Sequence, residues 1–349
     1  MKIAQIVPIW FPVPPKKFGG LESVVANLTA GLISKKHEVT LYGFTSKPWT
    51  KKTPELNEAP LTVDWLSNKN IELDNYMQAI LDSSGFDILH FHVSTDLFPL
   101  MVTSFSKKPT LITVHNFTPG GKDNIFFEKY SNNLVLPNNF STKFFGKNGT
   151  VASVYHGINY GDYLYNEKKD DYLVYLSRIE PEKGILDAIA LSKAVDRKLV
   201  VLGPVPPLHK DFFNNEVKSL IDDSNVVYLG EADMETKNKY LSKAKALIYP
   251  TKYNETFGLV AAEAMACGTP VIAYKSGAVP EVVKDKETGF LAETGDVKEL
   301  IKVAKQLLEL NKEDYNSMVR NCRWRVIENF SSEKMTESYL NLYDKLIGR

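Results

Sequence analysis

Short apolar runs, each bounded by turn residues, alternate along this chain with segments whose apolar residues recur at helical spacing. The runs are Ile3–Val7, Val39–Phe44, Ile88–Val93, Leu111–His115, Leu134–Leu136 and Val151–Tyr155. A second series follows at Tyr172–Leu176, Leu199–Leu202, Val226–Leu229, Ala246–Tyr249 and Val271–Ala273. Runs that stay apolar from end to end, without alternation, suit parallel strands covered on both faces. Their alternation with helical segments predicts an α/β fold, played twice, as two doubly wound domains. In the first helical segment Leu21, Val24, Val25, Leu28 and Leu32 share a face, and Gly31 with Lys35-Lys36-His37 suits its C-terminal end. Gly19-Gly20 therefore falls between a strand and a helix. Met335, Tyr339, Leu342, Tyr343 and Leu346 predict a terminal helix capped by Ser331 or Ser332.

The chemistry concentrates in Tyr249-Pro-Thr-Lys-Tyr-Asn-Glu255-Thr-Phe-Gly-Leu-Val-Ala-Ala-Glu263-Ala-Met-Ala-Cys-Gly-Thr-Pro270. Thr256 is a candidate N-cap, Gly258 to Cys267 is alanine-rich, Gly268 fits a left-handed residue after a helix, and Pro270 forbids continuation. The amides of Phe257, Gly258, Leu259 and Val260 would then lie at the positive end of a helix dipole, where a diphosphate is stabilised without a metal. At helical rise and twist, eight residues separate Glu255 from Glu263 by ~12 Å and roughly 80° of rotation. One hydroxyl group could not engage both, so the two acids are expected at different ends of one long ligand. Glu255 would meet the sugar and Glu263 the ribose. As a plain alternative, Glu255 serves the helix dipole and Glu263 is a solvated helical acid. The apolar flanks Ala261, Ala262, Ala264, Met265 and Ala266 count against it, because a carboxylate among them needs a partner.

Glu255-x7-Glu263 with Phe257-Gly258-Leu259 and the following Gly-Thr-Pro-Val-Ile-Ala resembles the signature of retaining nucleotide-sugar glycosyltransferases of the GT-B fold, family four. Phe18-Gly-Gly-Leu-Glu22, Thr113-Val-His115-Asn and Ser177-Arg178-Ile-Glu-Pro-Glu-Lys183-Gly extend the resemblance nearly end to end. It implies two Rossmann-like domains facing across a cleft. Residues 1–160 would form an acceptor-side domain, 161–330 a nucleotide-sugar-binding domain, and 331–349 a helix crossing back onto the first. It also implies that His115 hydrogen-bonds the donor sugar and that the departing diphosphate takes the acceptor's proton on the same face of the sugar. Gly19-Gly20, ahead of a helix start, could bring bare backbone to the diphosphate, with a simple tight turn as the plain alternative. The chain departs from the commonest family pattern at Thr256, at Ala278 and at His156-Gly-Ile-Asn159.

Arg178 and Lys183 follow the run Tyr172–Leu176, on the side where open α/β sheets bind ligands. Two fixed cations there would stabilise a leaving diphosphate, although a surface ion pair of either with Glu180 or Glu182 is the plain alternative. Tyr228 and Leu229, closing the run Val226–Leu229, are further nucleotide-site candidates. No Asp-x-Asp occurs in the sequence, so no metal is expected, and no G-x-G-x-x-G follows the first strand, which argues against a nicotinamide cofactor. No cofactor is expected, and the nucleotide-diphosphate sugar is the substrate. His90 and His92 alternate on one strand and share a face, but no third ligand is suggested nearby, so structural or acceptor-side roles are expected. Trp10, Phe11, Phe18 and Trp49 could line an acceptor groove or, equally, anchor loops.

Length and charge narrow the field further. A chain of 349 residues exceeds one ordinary core. Lys plus Arg equals Asp plus Glu, 42 against 42, so no basic field argues for nucleic acid. Two cysteines, Cys267 and Cys322, form no disulfide framework or zinc spacing, which makes a reducing cytoplasm the default. The opening Met1–Pro8 is too short and too polar for a secretory signal and reads as a strand. No stretch approaches the ~20 apolar residues that span a bilayer. Any membrane association would be peripheral, with Lys143-Phe-Phe-Gly-Lys147 as the candidate contact. The expected activity is hexosyl transfer from a nucleotide-diphosphate sugar, a UDP-sugar first, to a carbohydrate or lipid-linked acceptor hydroxyl. A sugar-nucleotide 2-epimerase of the same architecture and a catalytically inactive sugar-nucleotide binder are the rival readings.

Overall fold

The computed structural model describes the chain apart from residues 18, 46–49, 53–64, 95–97, 118–128, 131–132, 145–150 and 349, and apart from the side chains of 50–52, 65–68, 143 and 151. Phe18, Trp49, residues 145–147 and the side chain of Lys143, all named above, lie outside the described part. The chain divides into two compact units. Unit 1 is Met1–Ile158 with Ser332–Arg349, and unit 2 is Asn159–Ser331.

Unit 1 holds a seven-stranded sheet of order β3-β2-β1-β4-β5-β6-β7. Its strands are β1 (Lys2–Ile6), β2 (Glu38–Tyr42), β3 (Thr50–Lys52), β4 (Ile88–Val93), β5 (Thr110–Val114), β6 (Leu134–Leu136) and β7 (Val151–Ser153). Unit 2 holds a six-stranded sheet of order β10-β9-β8-β11-β12-β13. Here the strands are β8 (Tyr172–Leu176), β9 (Lys198–Leu202), β10 (Val226–Tyr228), β11 (Ala246–Tyr249), β12 (Val271–Tyr274) and β13 (Gly289–Ala292). All pairings are parallel. Both sheets are thus Rossmann-like, as the alternating runs predict.

Two strands were not among the expected runs. β3 is Thr-Lys-Lys at a sheet edge, too polar to register as apolar. β13 opens on Gly289, where an added Cβ would lie 1.9 Å from the Val271 oxygen, so only a glycine lets it approach β12 so closely. Glycine weakens the apolar signal it sits in.

The helix Gly20–Ser34 buries Val24, Val25, Leu28 and Leu32, the face its spacing predicts. The terminal helix Ser332–Ile347 buries Met335, Tyr339 and Tyr343 and packs against Gly20–Ser34. In unit 2 the core gathers Leu173, Tyr175, Val201, Ile248, Ile272 and Leu300. Among the described residues no helix is long and apolar enough to cross a membrane. Phe144 packs on Phe117 and Phe140, with ring centroids 6.2 and 5.5 Å away.

Strand order reverses between β1 and β4 in unit 1 and between β8 and β11 in unit 2. Loops leaving the carboxyl ends of strands beside such a reversal are where sheets of this kind place ligands. In unit 2 those loops carry Arg178 and Lys183 after β8, and Glu255 to Gly258 after β11.

Candidate active site

Tyr175, buried at the end of β8, sends its hydroxyl group back to the loop that follows. It donates to the Arg178 oxygen at 3.2 Å and the Lys183 oxygen at 3.3 Å, and so ties down both ends of the segment bearing the two cations. Gly184 then turns the chain with φ of 75°, and a Cβ there would stand 2.1 Å from the Pro250 oxygen. Only glycine satisfies both the left-handed backbone and that close approach to the loop after β11.

The two loops meet through charge as well. Lys183 Nζ pairs with Glu255 Oε1, and both side chains are 11% exposed. Thr251 Oγ1 donates to the same carboxylate oxygen at 3.0 Å, and Tyr249 donates to the Glu255 carboxylate. Ala278 N donates to the Glu255 backbone oxygen at 2.8 Å. Burial and the neighbouring carboxylate push the Tyr249 phenol well above its ordinary range, so it stays protonated and donating. Lys183 Nζ also lies 4.9 Å from the Tyr253 ring centroid. Arg178 is more open, 43% exposed, with Nε 2.6 Å from Glu180 Oε1. The ion pair weighed as the plain alternative for Arg178 is therefore present, whereas Lys183 pairs across loops with Glu255.

The helix begins later than its sequence suggests. It spans Leu259–Ala266, with Gly258 at the N-cap in the left-handed region, φ 93°. Thr256 is therefore not the cap: residues 255–258 are a loop that turns in through Gly258, which a threonine cap would not need. Glu255 accordingly precedes the helix, and the ~80° of rotation expected between the two acids does not apply. Phe257 is buried and meets Phe330 edge-on at 5.4 Å, so its side chain anchors the turn. Leu259 and Val260 supply the first-turn amides, whereas Ala261 N already donates to the Gly258 oxygen at 2.9 Å.

Glu263 finds the partner its apolar surroundings demand, and finds it within the protein. Lys237 Nζ lies 2.9 and 3.2 Å from its two oxygens, and Tyr163 donates to Oε1 at 3.0 Å. Lys237 sits on the helix Met234–Leu241, a polar segment that carries no apolar signal of its own. Neither partner was among the expected site residues. Tyr228 donates to the Gly203 oxygen at 2.9 Å and packs on Phe213, and Leu229, just past β10, is 41% exposed.

In unit 1, Gly19 precedes the first turn with φ of 151°, Gly20 opens the helix Gly20–Ser34, and His115 follows β5. Glu22, in that first turn, is buried, and loss of hydration raises its carboxyl pKa to about 7. The folded state therefore favours the protonated form. Between the ordinary value of 4.5 and about 7 the native chain binds more protons at this site than the unfolded chain does, so its contribution to stability falls as pH rises. In Glu22→Gln this fall should vanish from a melting-temperature profile taken from pH 4.5 to 7.5. An unaltered profile would show that Glu22 titrates as an ordinary carboxylate.

His115 does not stand alone. Its Nε2 is 3.0 Å from His92 Nδ1, and its ring stacks on His156 with centroids 4.7 Å apart. His90 Nε2 and Nδ1 lie 2.7 Å from Thr113 Oγ1 and 2.7 Å from Tyr343 OH. The alternation of His90 and His92 on one face thus reflects a buried polar cluster. Among the described residues one group could gather a cation: Glu180, Glu182 and His209, with ligating atoms within 4.8 Å of one another. The Arg178 guanidinium already occupies Glu180, which argues against a cation there.

Residues 164–325 match the family Glycosyl transferases group 1, and residues 18–146 match Glycosyltransferase Family 4. The chain is 24% identical over 370 residues to a phosphatidyl-myo-inositol mannosyltransferase of Propionibacterium freudenreichii, covering 94% of this chain and 92% of that protein. Its fold matches sucrose-phosphate synthase of Thermosynechococcus elongatus with a TM-score of 0.80 at 21% identity over the whole of both chains. The Anabaena protein HepE, solved in complex with UDP-glucose, superposes with a TM-score of 0.76 at 17% identity over 99% of this chain and 100% of that one. With family matches to both halves and a GT-B fold in both sheets, this chain belongs to the group 1 glycosyltransferases of family 4.

Proposed function

We propose that the protein transfers a hexosyl group, with retention of configuration and without a metal, from a nucleotide-diphosphate sugar to a hydroxyl group of a carbohydrate or lipid-linked acceptor. The observation that carries this reading is the meeting of Lys183, Glu255 and the Gly258 turn at the strand-order reversal of unit 2. The Leu259 and Val260 amides open the helix after this turn and the Lys183 ammonium group comes from the loop after β8, and both would act on a diphosphate bound here. Arg178 adds a second cation from the same loop as Lys183. Glu263 accepts the ribose hydroxyls and Glu255 the sugar hydroxyls, and in its own unit His115 is read as a contact to a sugar hydroxyl group.

As the bond between the anomeric carbon and the diphosphate breaks, the departing phosphate oxygen gains negative charge, which the cations and amides stabilise. The acceptor oxygen bonds to the same face of that carbon, and its proton passes to the departing phosphate. No protein nucleophile is needed. Uridine is the favoured base because a protein of like fold was solved with UDP-glucose. The phosphatidyl-myo-inositol mannosyltransferase among the relatives supports a carbohydrate or lipid-linked acceptor, and a cytoplasmic protein working at or near the inner face of a membrane belongs to the same proposal.

Thermal-shift titration with UDP, GDP, ADP and their sugars tests the reading, because a ligand of the native state raises its melting temperature by mass action. UDP and a UDP-sugar are expected to raise it most, with EDTA leaving both the shift and turnover unchanged. A shift or a turnover abolished by EDTA would overturn the metal-free mechanism. A shift with GDP alone would move the base to guanosine.

A further inference from the structure

We propose that the side-chain amide of Gln5 fixes the tautomer of His115, so that the ring keeps its proton on Nε2 and offers Nδ1 as an acceptor to a sugar hydroxyl group. The sugar contact rests on the reading of His115 given above. The tautomer does not.

A buried line of hydrogen bonds runs from the terminal helix Ser332–Ile347 to the end of β5. Tyr339 OH is 2.8 Å from Thr113 Oγ1, which is 2.7 Å from His90 Nε2, and His90 Nδ1 is 2.7 Å from Tyr343 OH. Gln5 Nε2 donates to Tyr343 OH at 3.0 Å, and its Oε1 accepts from His92 Nε2 at 2.6 Å. His92 Nδ1 then lies 3.0 Å from His115 Nε2. Every hydroxyl and every neutral imidazole in this line can both give and receive, so each can serve either direction. The amide cannot, because its nitrogen only donates and its oxygen only accepts. Gln5 therefore polarises the whole line.

Toward β5, the Gln5 oxygen requires a proton on His92 Nε2. A neutral ring then has a bare Nδ1, which must accept from His115 Nε2–H. His115, also neutral, is left with its lone pair on Nδ1. Toward the terminal helix, Tyr343 accepts from Gln5 and donates to His90 Nδ1, His90 Nε2–H donates to Thr113, and Thr113 donates to Tyr339. Half a turn of the one amide would reverse every step and move the His115 proton to Nδ1. The rings are neutral because burial holds His90, His92 and His115 well below 6.5, and His156 at about 3. Their closeness adds to this, since His90 and His92 have centroids 4.1 Å apart. Gln5 and His92 are thus positioning residues, acting through His115.

Long-range ¹H–¹⁵N correlation spectra of the full chain, labelled at histidine, distinguish protonated from bare ring nitrogens. In the wild type, His115 and His92 should each show a single tautomer with the proton on Nε2. Gln5→Met, which keeps the shape and removes both polar ends, should give mixed tautomers at both rings. Tyr343→Phe, which frees the amide nitrogen, should give the same mixture to a smaller extent. The kcat/KM for the donor should fall about two- to tenfold in each, as expected for one neutral hydrogen bond. A wild-type His115 with its proton on Nδ1 would overturn the proposal, as would a single unchanged tautomer in both variants. If the spectra behave as stated while His115→Ala transfers normally, the sugar contact fails and the tautomer control stands.

Discussion

Lys183→Met should lower turnover about a hundredfold, the usual consequence of removing one fixed group that stabilises charge in the transition state. It should also destabilise the fold, because the lysine is paired with a carboxylate as buried as itself. Removing one member of a buried pair costs about 3–5 kcal/mol, most of it from the stranded charge left behind. The two losses can be separated. Lys183→Met combined with Glu255→Gln leaves no buried charge, so the melting temperature should largely recover. Turnover should not recover, because both the ammonium group and the sugar-side acid are then missing. Arg178→Ala provides the contrast. Its guanidinium is 43% exposed, so turnover should again fall about a hundredfold while stability changes by no more than about 1 kcal/mol. Steady-state kcat with a UDP-sugar and thermal melts of the four proteins are the measurements. If Lys183→Met turns over at the wild-type rate, the diphosphate does not bind at this turn.

Nucleotide affinity, more than chemistry, should suffer at Glu263. Hydrogen bonds to charged groups contribute about 1.5–3 kcal/mol each, so Glu263→Gln should weaken UDP binding about 10- to 100-fold by calorimetric titration. Lys237 makes this site informative, because it holds both carboxylate oxygens while Tyr163 donates to one of them. Lys237→Met leaves the acid in place but removes the charge that orients it. Affinity should then fall by a smaller factor, about tenfold. A Glu263→Gln protein with unchanged UDP affinity would remove this residue from the ribose site and leave it as a link between the helices Leu259–Ala266 and Met234–Leu241.

The strands were legible because a parallel strand covered on both faces cannot hide its composition. Tyr172–Leu176, Ile88–Val93, Leu134–Leu136 and Ala246–Tyr249 stand in the structure where their apolar runs do. The edge strand Thr50–Lys52 and the glycine-led Gly289–Ala292 escaped because neither writes such a run. The start of the motif helix was misplaced for a local reason. Thr256 fits an N-cap by residue type, but the chain enters this helix through a left-handed backbone at Gly258, which glycine adopts without strain. Within the candidate site, the motif residues stand out by type and spacing. Their supports do not, since Tyr175, Lys237 and Tyr163 come from segments whose patterns fit ordinary core or surface. Gln5 is the extreme case: a polar residue inside an apolar strand, its role visible only when paired with a tyrosine 338 positions away.

That separation also bears on how the protein is made. Unit 2 is one continuous stretch, Asn159–Ser331, and can close its core while synthesis is under way. Unit 1 is interrupted, because the tyrosines that complete its polar interior belong to the helix Ser332–Ile347. At ribosomal speeds of about 5–20 residues per second, roughly 20–70 s pass between the translation of Gln5 and that of Tyr343. Until then Gln5, His90 and Thr113 lack the tyrosine hydroxyls they bond in the finished domain. The domain begun first is therefore the last to be finished.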